Sequence, residues 1–158
     1  LLARAAGHAG MAGGQAIDLA SIGHALNEAA LRDMHRRKTG ALLEASVLMG
    51  AACGRPAPGT GSAIWQGLAA YGAAIGLAFQ VVDDILDVTQ ASETLGKTAG
   101  KDLDSNKPTY VSILGLDAAR RHAQALCDQA HEALRATGLG ARAGALAVLA
   151  DKVVQREN

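Results

Sequence analysis

The sequence predicts an all-α fold, and three observations support this prediction. Alanine and leucine dominate a hydrophobic share of 49%, and both residues favour helices. Only four of the 158 residues are aromatic, and β-branched residues are few, which disfavours sheets. No stretch keeps the two-residue alternation of apolar and polar side chains that is typical of a strand. We therefore expect one domain built as a helical bundle.

Glycine and proline divide the chain into successive helices. Residues 1–21 are predicted as helical pieces with a flexible break among Gly7, Gly10, Gly13 and Gly14. A long helix is expected from Asn27, a good N-cap, to about Ala52. Further helices are expected over residues 62–88, 116–137 and 142–155, with a polar loop over 89–107 and Pro108 in the first turn of another helix.

Composition excludes several classes of function. Lys+Arg and Asp+Glu both number 15, so no net charge attracts the protein to nucleic acid or to an anionic membrane. The longest apolar run, from Gly67 to Phe79, is shorter than a membrane span and is predicted to be a buried helix. Cys53 and Cys127 form no paired motif, which favours a reduced, cytoplasmic protein.

Three carboxylates cluster near the expected end of the helix over residues 62–88. Asp83 and Asp87 share a helical face, and Asp84 lies beside them. Mutual repulsion and the helix dipole disfavour this arrangement, each by a few tenths to about 1 kcal/mol. A hard cation would offset the repulsion, and Mg²⁺ in particular binds carboxylates together with substrate phosphates. The cluster predicts a Mg²⁺ site, and the alternative is a solvated acidic helix end.

The same helical face continues toward the amino terminus through Gln80, Phe79, Gly76 and Gly72. The two glycines would leave room beside the carboxylates, but close packing against another helix explains them equally well. Packing does not explain why Gln80 and Asp83 continue the stripe.

Lys38 interrupts the apolar stripe of the helix that is expected to start at Asn27. The other members of the stripe are apolar: Leu31, Met34, Leu42, Ala45 and Met49. A lysine at such a position needs an anion or a route to water. It either extends to solvent or faces a polar cavity that holds a diphosphate, to which Thr39 would offer a hydroxyl. Arg36, Arg37 and the five histidines are expected at the surface.

Three lysines follow the acidic cluster within a glycine-containing segment. Lys97, Lys101 and Lys107 lie among Gly96 and Gly100. Such a segment suits phosphate binding, and the alternative is a charged surface loop. It is not a Walker loop, because no helix follows the Gly-Lys pair in the required pattern.

Together these segments resemble the trans-isoprenyl diphosphate synthases of the polyprenyl synthetase family, and the bacterial farnesyl group in particular. Their order and spacing match the family along nearly the whole chain. The ending Val153-Val154-Gln155-Arg156 is also similar to the tail of that group. The matching segments are Gly13-Gly14-Gln15, Lys38-Thr39-Gly40, Phe79-Gln80, Asp83-Asp84-Ile85-Leu86-Asp87, Leu95-Gly96-Lys97 and Lys107-Pro108-Thr109-Tyr110.

The resemblance implies a fold, an activity and roles for these residues. Residues 1–158 would be the carboxyl-terminal part of one isoprenoid synthase-type bundle, in a homodimer. Dimethylallyl or geranyl diphosphate would ionise, the cation would attack isopentenyl diphosphate, and proton loss would give a longer prenyl diphosphate such as farnesyl diphosphate. The implied roles are Mg²⁺ binding by Asp83, supported by Asp84 and Asp87; allylic diphosphate binding by Lys38, Lys97 and Lys107; stabilisation of the cation by Thr39 and Gln80; and contact with the isopentenyl group by Phe79 and Gln80.

Part of the family pattern does not occur in this sequence. The first aspartate-rich motif, and the arginines that bind the second substrate, belong to the amino-terminal half of family members. We therefore expect the chain to be inactive alone. Two rival interpretations are a truncated, non-catalytic homologue and a helical interaction subunit. The residues that set product length lie mostly beside the first motif, so the sequence does not fix that length.

Overall fold

The computed structural model describes residues 1–24, 26–54, 56–94 and 108–156, and of residues 90–94 it describes the backbone alone. Within these ranges the chain forms helices and turns and no strand. The predicted all-α class is confirmed. The helices are α1 (Leu2–Ala6), α2 (Met11–Ala20), α3 (Glu28–His35), α4 (Ala41–Ala52), α5 (Ala63–Thr94), α6 (Tyr110–Leu114), α7 (Leu116–Ala136) and α8 (Gly144–Val154).

Helix α5 is the centre of the bundle. It packs along α7 on one side and against α4 on another, while α8 and α6 contact it near its two ends. Its buried side chains enter two apolar clusters. One surrounds Val81 and Ile85 together with Leu31 and Tyr110, and the other surrounds Tyr71. The Tyr71 hydroxyl donates to the Leu146 carbonyl at 2.8 Å, which ties α8 to this core.

The long helix predicted from Asn27 to Ala52 contains a π-helical turn. Asn27 caps α3, since its side chain accepts from the Ala30 N–H at 2.9 Å. Arg36–Gly40 then form the π turn, which leads directly into α4. A π turn shifts the faces of the helix that follows it. Leu48, which the predicted stripe omitted, is buried on the same face of α4 as Ala45, three residues earlier.

Glycines let three backbones approach closely. A Cβ added at Gly76 would lie 2.7 Å from the Cα of Gly40, and one at Gly72 would lie 2.7 Å from the Cα of Glu44. A Cβ at Gly14 would overlap the backbone of Lys38. Close packing is therefore the explanation for Gly72 and Gly76, and the room that they were expected to leave beside the carboxylates is filled by α4 and the π turn.

Three helix boundaries differ from the prediction. The first break lies between α1 and α2, so Gly13 and Gly14 are inside a helix. Helix α5 continues past Val88 to Thr94, so residues 89–94 are helical instead of a loop, and residues 95–107 lie outside the described ranges. Pro108 precedes α6 instead of lying in its first turn, because the Thr109 side chain caps that helix by accepting from the Ser112 N–H at 3.0 Å.

The length of α5 also changes the electrostatic argument for the acidic cluster. Asp87 lies two turns before the end of the helix at Thr94, and the dipole effect falls off within the last turn. The dipole therefore contributes little to the cost of the cluster. Repulsion among the carboxylates and the burial of one of them remain.

By length and hydropathy alone, Ala63–Thr89 meets the requirements for a membrane span, contrary to the expectation drawn from its shorter apolar run. The central helix of a globular bundle meets the same requirements. Half of its 18-residue hydropathy window is buried inside the protein, which is the packing of a core helix.

We expect Gly76→Ala to lower the free energy of unfolding by about 1–3 kcal/mol, the range of other overpacked core positions. The added methyl group would press on the Gly40 backbone, which has no flexible side chain that could move away. The effect opposes helix propensity, which by itself favours alanine by about 1 kcal/mol. Urea unfolding of the two proteins measures the difference.

The matched control is Gly50→Ala in α4, because Gly50 is exposed and a Cβ there would meet nothing within 4 Å. This variant should be as stable as the wild type or slightly more stable. A Gly76→Ala protein that gained stability like the control would show that α5 and the π turn are not in backbone contact.

Candidate functional site

Asp83 and Asp87 lie on the accessible side of α5. The Asp87 side chain is exposed, and Asp83 is half-buried. One Asp83 oxygen accepts from the Arg156 guanidinium at 2.8 Å, and the same guanidinium lies 4.5 Å from the centroid of the Phe79 ring. The end of the chain therefore returns to the acidic face of α5, where a cation already neutralises Asp83.

Asp84 points the other way, into the protein. It is 9% exposed, and its Oδ2 accepts from the Tyr110 backbone N–H at 2.7 Å. Burial is the main cause that raises the pKa of Asp84, to about 6. The neighbouring Asp87 and Asp83 raise this pKa further, while the Tyr110 N–H lowers it. Asp84 thus anchors the start of α6 and differs from the other two carboxylates in exposure and in partner.

Lys38 is paired within the chain. Its Nζ lies 2.6 Å from Oδ2 of Asp18 in α2, and the two side chains are 34% and 14% exposed. The ion pair with Asp18 explains how a lysine is accommodated in the apolar stripe of its helix. Lys38 is therefore a paired cation and does not simply extend to solvent. Arg36 and Arg37 both pair with Asp33, each at 2.7 Å, on the outer side of the helix.

His35 connects the two groups of charges. It is 7% exposed, so the expectation that all histidines lie at the surface was wrong. Its Nδ1–H donates to Oε1 of Gln80 at 2.8 Å, which links α3 to α5. Burial lowers the pKa of His35, and the charges of Lys38, Asp18 and Asp83 all act on the ring. Because Lys38 is three residues after His35 and Asp83 is three residues after Gln80, the His35–Gln80 hydrogen bond brings Lys38 and Asp83 into one neighbourhood.

The structure brings most of the predicted site residues together, although their chemical roles stay predictions. Lys38 and the half-buried Thr39 come from the π turn. Lys97 and Lys107 lie outside the described residues. The remaining predicted residues come from one stretch of α5: Phe79, Gln80, Asp83, Asp84 and Asp87.

Sequence reasoning did not identify three residues of this neighbourhood: Asp18, His35 and Arg156. Asp18 had a detectable signal in the sequence, because it is the one charged residue of α2, and in the structure it is 14% exposed and pairs with Lys38. His35 had none, and Arg156 was noted only as the last residue of the tail that resembles the farnesyl group. Their partners are 45 and 73 residues away in the sequence, and no local pattern specifies such contacts.

The side chains of Asp83 and Asp87 fit a hard divalent cation. Their carboxylate oxygens are the ligands that Mg²⁺ prefers, and both side chains reach solvent, which suits an ion that keeps several waters. Asp84 fits less well as a direct ligand, because one of its oxygens is occupied by the Tyr110 N–H. Its charge still contributes to the negative field at this end of the site.

The chain matches a known protein family over most of its length. Residues 3–138 match the profile of the family described as polyprenyl synthetase. The chain is 47% identical to a probable farnesyl diphosphate synthase of Bradyrhizobium diazoefficiens, over 99% of the chain and 46% of that relative. This chain belongs to the polyprenyl synthetase family. The resemblance seen in the sequence is thereby confirmed.

Two further relatives add detail about the family. Geranylgeranyl pyrophosphate synthase 7 of Arabidopsis thaliana is 42% identical over 99% of this chain and 45% of its own length. A geranyltransferase of Helicobacter pylori, crystallised with magnesium and isoprenyl diphosphate, superposes with a TM-score of 0.72 at 34% identity, over 96% of this chain and 48% of that one. This polyprenyl synthetase chain thus spans about half the length of its relatives.

We expect Asp84→Asn to stabilise the protein at neutral pH and not in acid. The pKa of Asp84 is about 6 when folded, against an ordinary value of 3.8, so the folded state favours the protonated form. The wild type therefore loses stability as pH rises from about 4 to about 6, by at most roughly 3 kcal/mol. Asparagine avoids this cost, and its Oδ1 still accepts from the Tyr110 N–H.

The measurement is urea unfolding of wild type and Asp84→Asn at about pH 4 and pH 7. The variant's advantage should be near zero at the lower pH and about 2–3 kcal/mol at the higher one. Asp128→Asn, on an exposed position of α7, is the control and should show no such dependence. A constant difference between Asp84→Asn and wild type at both pH values would contradict the burial of an ionised carboxylate at this position.

We expect Lys38→Ala to destabilise the ligand-free protein by about 1–2 kcal/mol, between the values for exposed and buried ion pairs. The reason is that Asp18, 14% exposed, would lose its partner. Thermal or urea unfolding measures the change.

Arg36→Ala is the control, since Arg36 pairs with Asp33 at a similar distance but is 63% exposed. It should change stability by less than about 0.5 kcal/mol. A double-mutant cycle with Asp18→Ala isolates the Lys38–Asp18 term. Additive effects of the two substitutions would mean that this ion pair does not form in solution.

Proposed function

We propose that the chain is the carboxyl-terminal half of a Mg²⁺-dependent prenyltransferase that condenses an allylic diphosphate with isopentenyl diphosphate. The product proposed is farnesyl diphosphate. The observation that carries the proposal is the hydrogen bond between His35 and Gln80, because it joins the segment that carries Lys38 to the turn of α5 that carries Asp83. A cation for phosphate and carboxylates for Mg²⁺ are thereby brought to one part of the fold. The identity to a probable farnesyl diphosphate synthase supports the product. A geranylgeranyl product is the second candidate, since the Arabidopsis relative bears that name.

In this proposal Asp83 and Asp87 hold Mg²⁺, which would supply positive charge to the diphosphate as it leaves the allylic carbon. The side chain of Lys38 adds a further cation, and Lys97 and Lys107 complete the diphosphate site. The carbonyl oxygen of Gln80 is already held in place by His35, so it is positioned to face a developing carbocation. The Thr39 hydroxyl takes the same role from the π turn.

In this proposal Phe79 and Arg156 bind the second substrate, isopentenyl diphosphate. The Phe79 ring offers an apolar face to the isopentenyl group, and the Arg156 guanidinium stacked on it offers a cation to that substrate's diphosphate. We further propose that the enzyme is a cytoplasmic homodimer and that this half does not turn over substrate by itself. A non-catalytic homologue and a helical interaction subunit are the rival proposals.

The test is calorimetric titration of geranyl diphosphate into the chain at a series of Mg²⁺ concentrations. Wild type should bind only when Mg²⁺ is present. Asp83→Ala should need roughly tenfold more Mg²⁺ for half-maximal binding, which corresponds to about 1.4 kcal/mol. In the absence of ligand its thermal stability should change little, because the substitution removes both the Arg156 pair and the repulsion from neighbouring carboxylates.

Asp128→Ala is the control, because it removes an exposed carboxylate on α7 and should leave the Mg²⁺ requirement unchanged. When the chain is given geranyl diphosphate, isopentenyl diphosphate and Mg²⁺ together, it should form no prenyl product by itself. If the affinity for geranyl diphosphate depends neither on Mg²⁺ nor on the Asp83→Ala substitution, the acidic cluster is only a solvated stretch of helix, and the rival proposals are favoured.

A further inference from the structure

A second cluster of potential metal ligands lies between α7 and α8. Cys127 and His131 are one helical turn apart and share a face of α7, and Asp151 of α8 lies opposite them. The Sγ, imidazole nitrogen and carboxylate oxygen of these residues all lie within 4.8 Å of one another. Cys127 belongs to the apolar cluster around Tyr71, whereas the acidic face of α5 borders the other cluster. The two groups of ligands are therefore separate.

We propose that Cys127, His131 and Asp151 bind a borderline-soft divalent cation of the Zn²⁺ class, which fastens α8 to α7. A thiolate, an imidazole and a carboxylate are the ligand types that zinc takes in proteins. The thiolate and imidazole distinguish this site from the all-oxygen ligands that Mg²⁺ requires. The inference does not depend on the proposed prenyltransferase activity.

The observed distances are close to those of such a site. For metal–sulfur bonds of about 2.3 Å and metal–oxygen bonds of about 2.0 Å at a tetrahedral angle, sulfur and oxygen would be about 3.5 Å apart. The Cys127 Sγ and Asp151 Oδ1 are 3.8 Å apart. The His131 Nε2 and Asp151 Oδ1 are 2.7 Å apart, which is a hydrogen bond and is shorter than two ligands of one ion allow. They would separate by about 0.6 Å.

The chain permits this small movement. The side chain of Asp151 is 48% exposed and that of His131 is 27% exposed, so the carboxylate can rotate without disturbing the core. Cys127 is buried and fixed, which holds the third ligand in place. His131 also lines an open cleft with Arg135, Gly138 and Gly144. Through this cleft an ion can enter, and a water can occupy the fourth position.

Protons are released or redistributed when the ion binds. The thiol of Cys127 gives its proton to solvent, and the thiolate binds the metal. The imidazole binds through Nε2, so its remaining proton lies on Nδ1, and its hydrogen bond to Asp151 is replaced by the shared metal. Without metal, burial raises the pKa of the Cys127 thiol, and the neighbouring Asp151 raises it further, so this cysteine is not an activated nucleophile.

The experiment is a titration of the chelator-treated chain with Co²⁺, whose bond to a thiolate gives a charge-transfer absorption band, followed by displacement with Zn²⁺. Cys53→Ser is the matched control, because it removes the exposed cysteine and leaves Cys127. The wild type and Cys53→Ser should each bind one Co²⁺ ion and show the charge-transfer band. Zn²⁺ should raise the melting temperature of both proteins. A large excess of Mg²⁺ should not displace the cobalt.

The ligand variants complete the test. Cys127→Ala should lose the band. His131 is partly exposed, so its substitution disturbs the core less than that of the buried Cys127. His131→Gln should weaken Co²⁺ binding at least about tenfold and abolish the Zn²⁺-dependent gain in melting temperature. If Cys127→Ala fails to fold, His131→Gln and Asp151→Asn decide the result. The proposal is overturned if wild type shows no thiolate band, if the band is lost with Cys53→Ser, or if His131→Gln binds cobalt as tightly as wild type.

Discussion

Backbone contact between α5 and the π turn is the constraint on which the candidate site depends. Gly76 touches Gly40 directly, and Gly14 of α2 reaches the backbone of Lys38 from another side. The π turn is thus held between two helices that carry glycine where they cross it. A side chain at either crossing would force the two backbones apart. The relative positions of Lys38 and the α5 carboxylates are therefore set by residues that have no side chain.

Lys38 and Asp83 carry opposite charges and lie in one neighbourhood, and each is paired with a different residue. Lys38 binds Asp18, and Asp83 binds Arg156, while His35, whose pKa is lowered by burial, hydrogen-bonds to Gln80 of α5. A direct Lys38–Asp83 bridge would satisfy both groups and would leave neither for a ligand. The observed pairs are partly exposed, and partly exposed pairs are weak enough for a more highly charged ligand to replace them. The arrangement suits a site for a metal–diphosphate complex.

Local sequence patterns predicted the helices well where a cap or a glycine–proline cluster marks the ends. The Asn27 cap, the break after Ala52 and the start of α7 after Gly115 all follow from residue types within a few positions. The π turn was not predictable in this way, because its residues Arg36–Gly40 have ordinary helical character and the turn is fixed by what packs on it. The extension of α5 to Thr94 was missed because its last residues are polar and carry no apolar period.

The same distinction separates the predictable part of the site from the rest. Asp83, Asp87 and Lys38 stood out because each violates the local pattern of its own helix, and such violations are expected at functional sites. His35 and Arg156 did not violate any pattern in sequence, and only their distant partners Gln80 and Asp83 reveal them. Motif membership was also an uncertain guide to role. Thr109 and Tyr110 follow Lys107 in one motif, yet the structure uses the Thr109 side chain to cap α6 and the Tyr110 N–H to hold Asp84.

Asp84 shows how a fold requirement and a site requirement can share one residue. Its carboxylate secures α6 through a single backbone hydrogen bond, and for this it is buried at the cost of a raised pKa. A neutral asparagine would hold α6 equally well, so the hydrogen bond alone does not require an acid. What the acid adds is negative charge directly behind Asp83 and Asp87, where asparagine adds none. A bound divalent cation would lower the pKa of Asp84 and recover the free energy that burial costs. At the proposed Mg²⁺ site, the stability lost in the ligand-free protein would be returned as affinity for the cation.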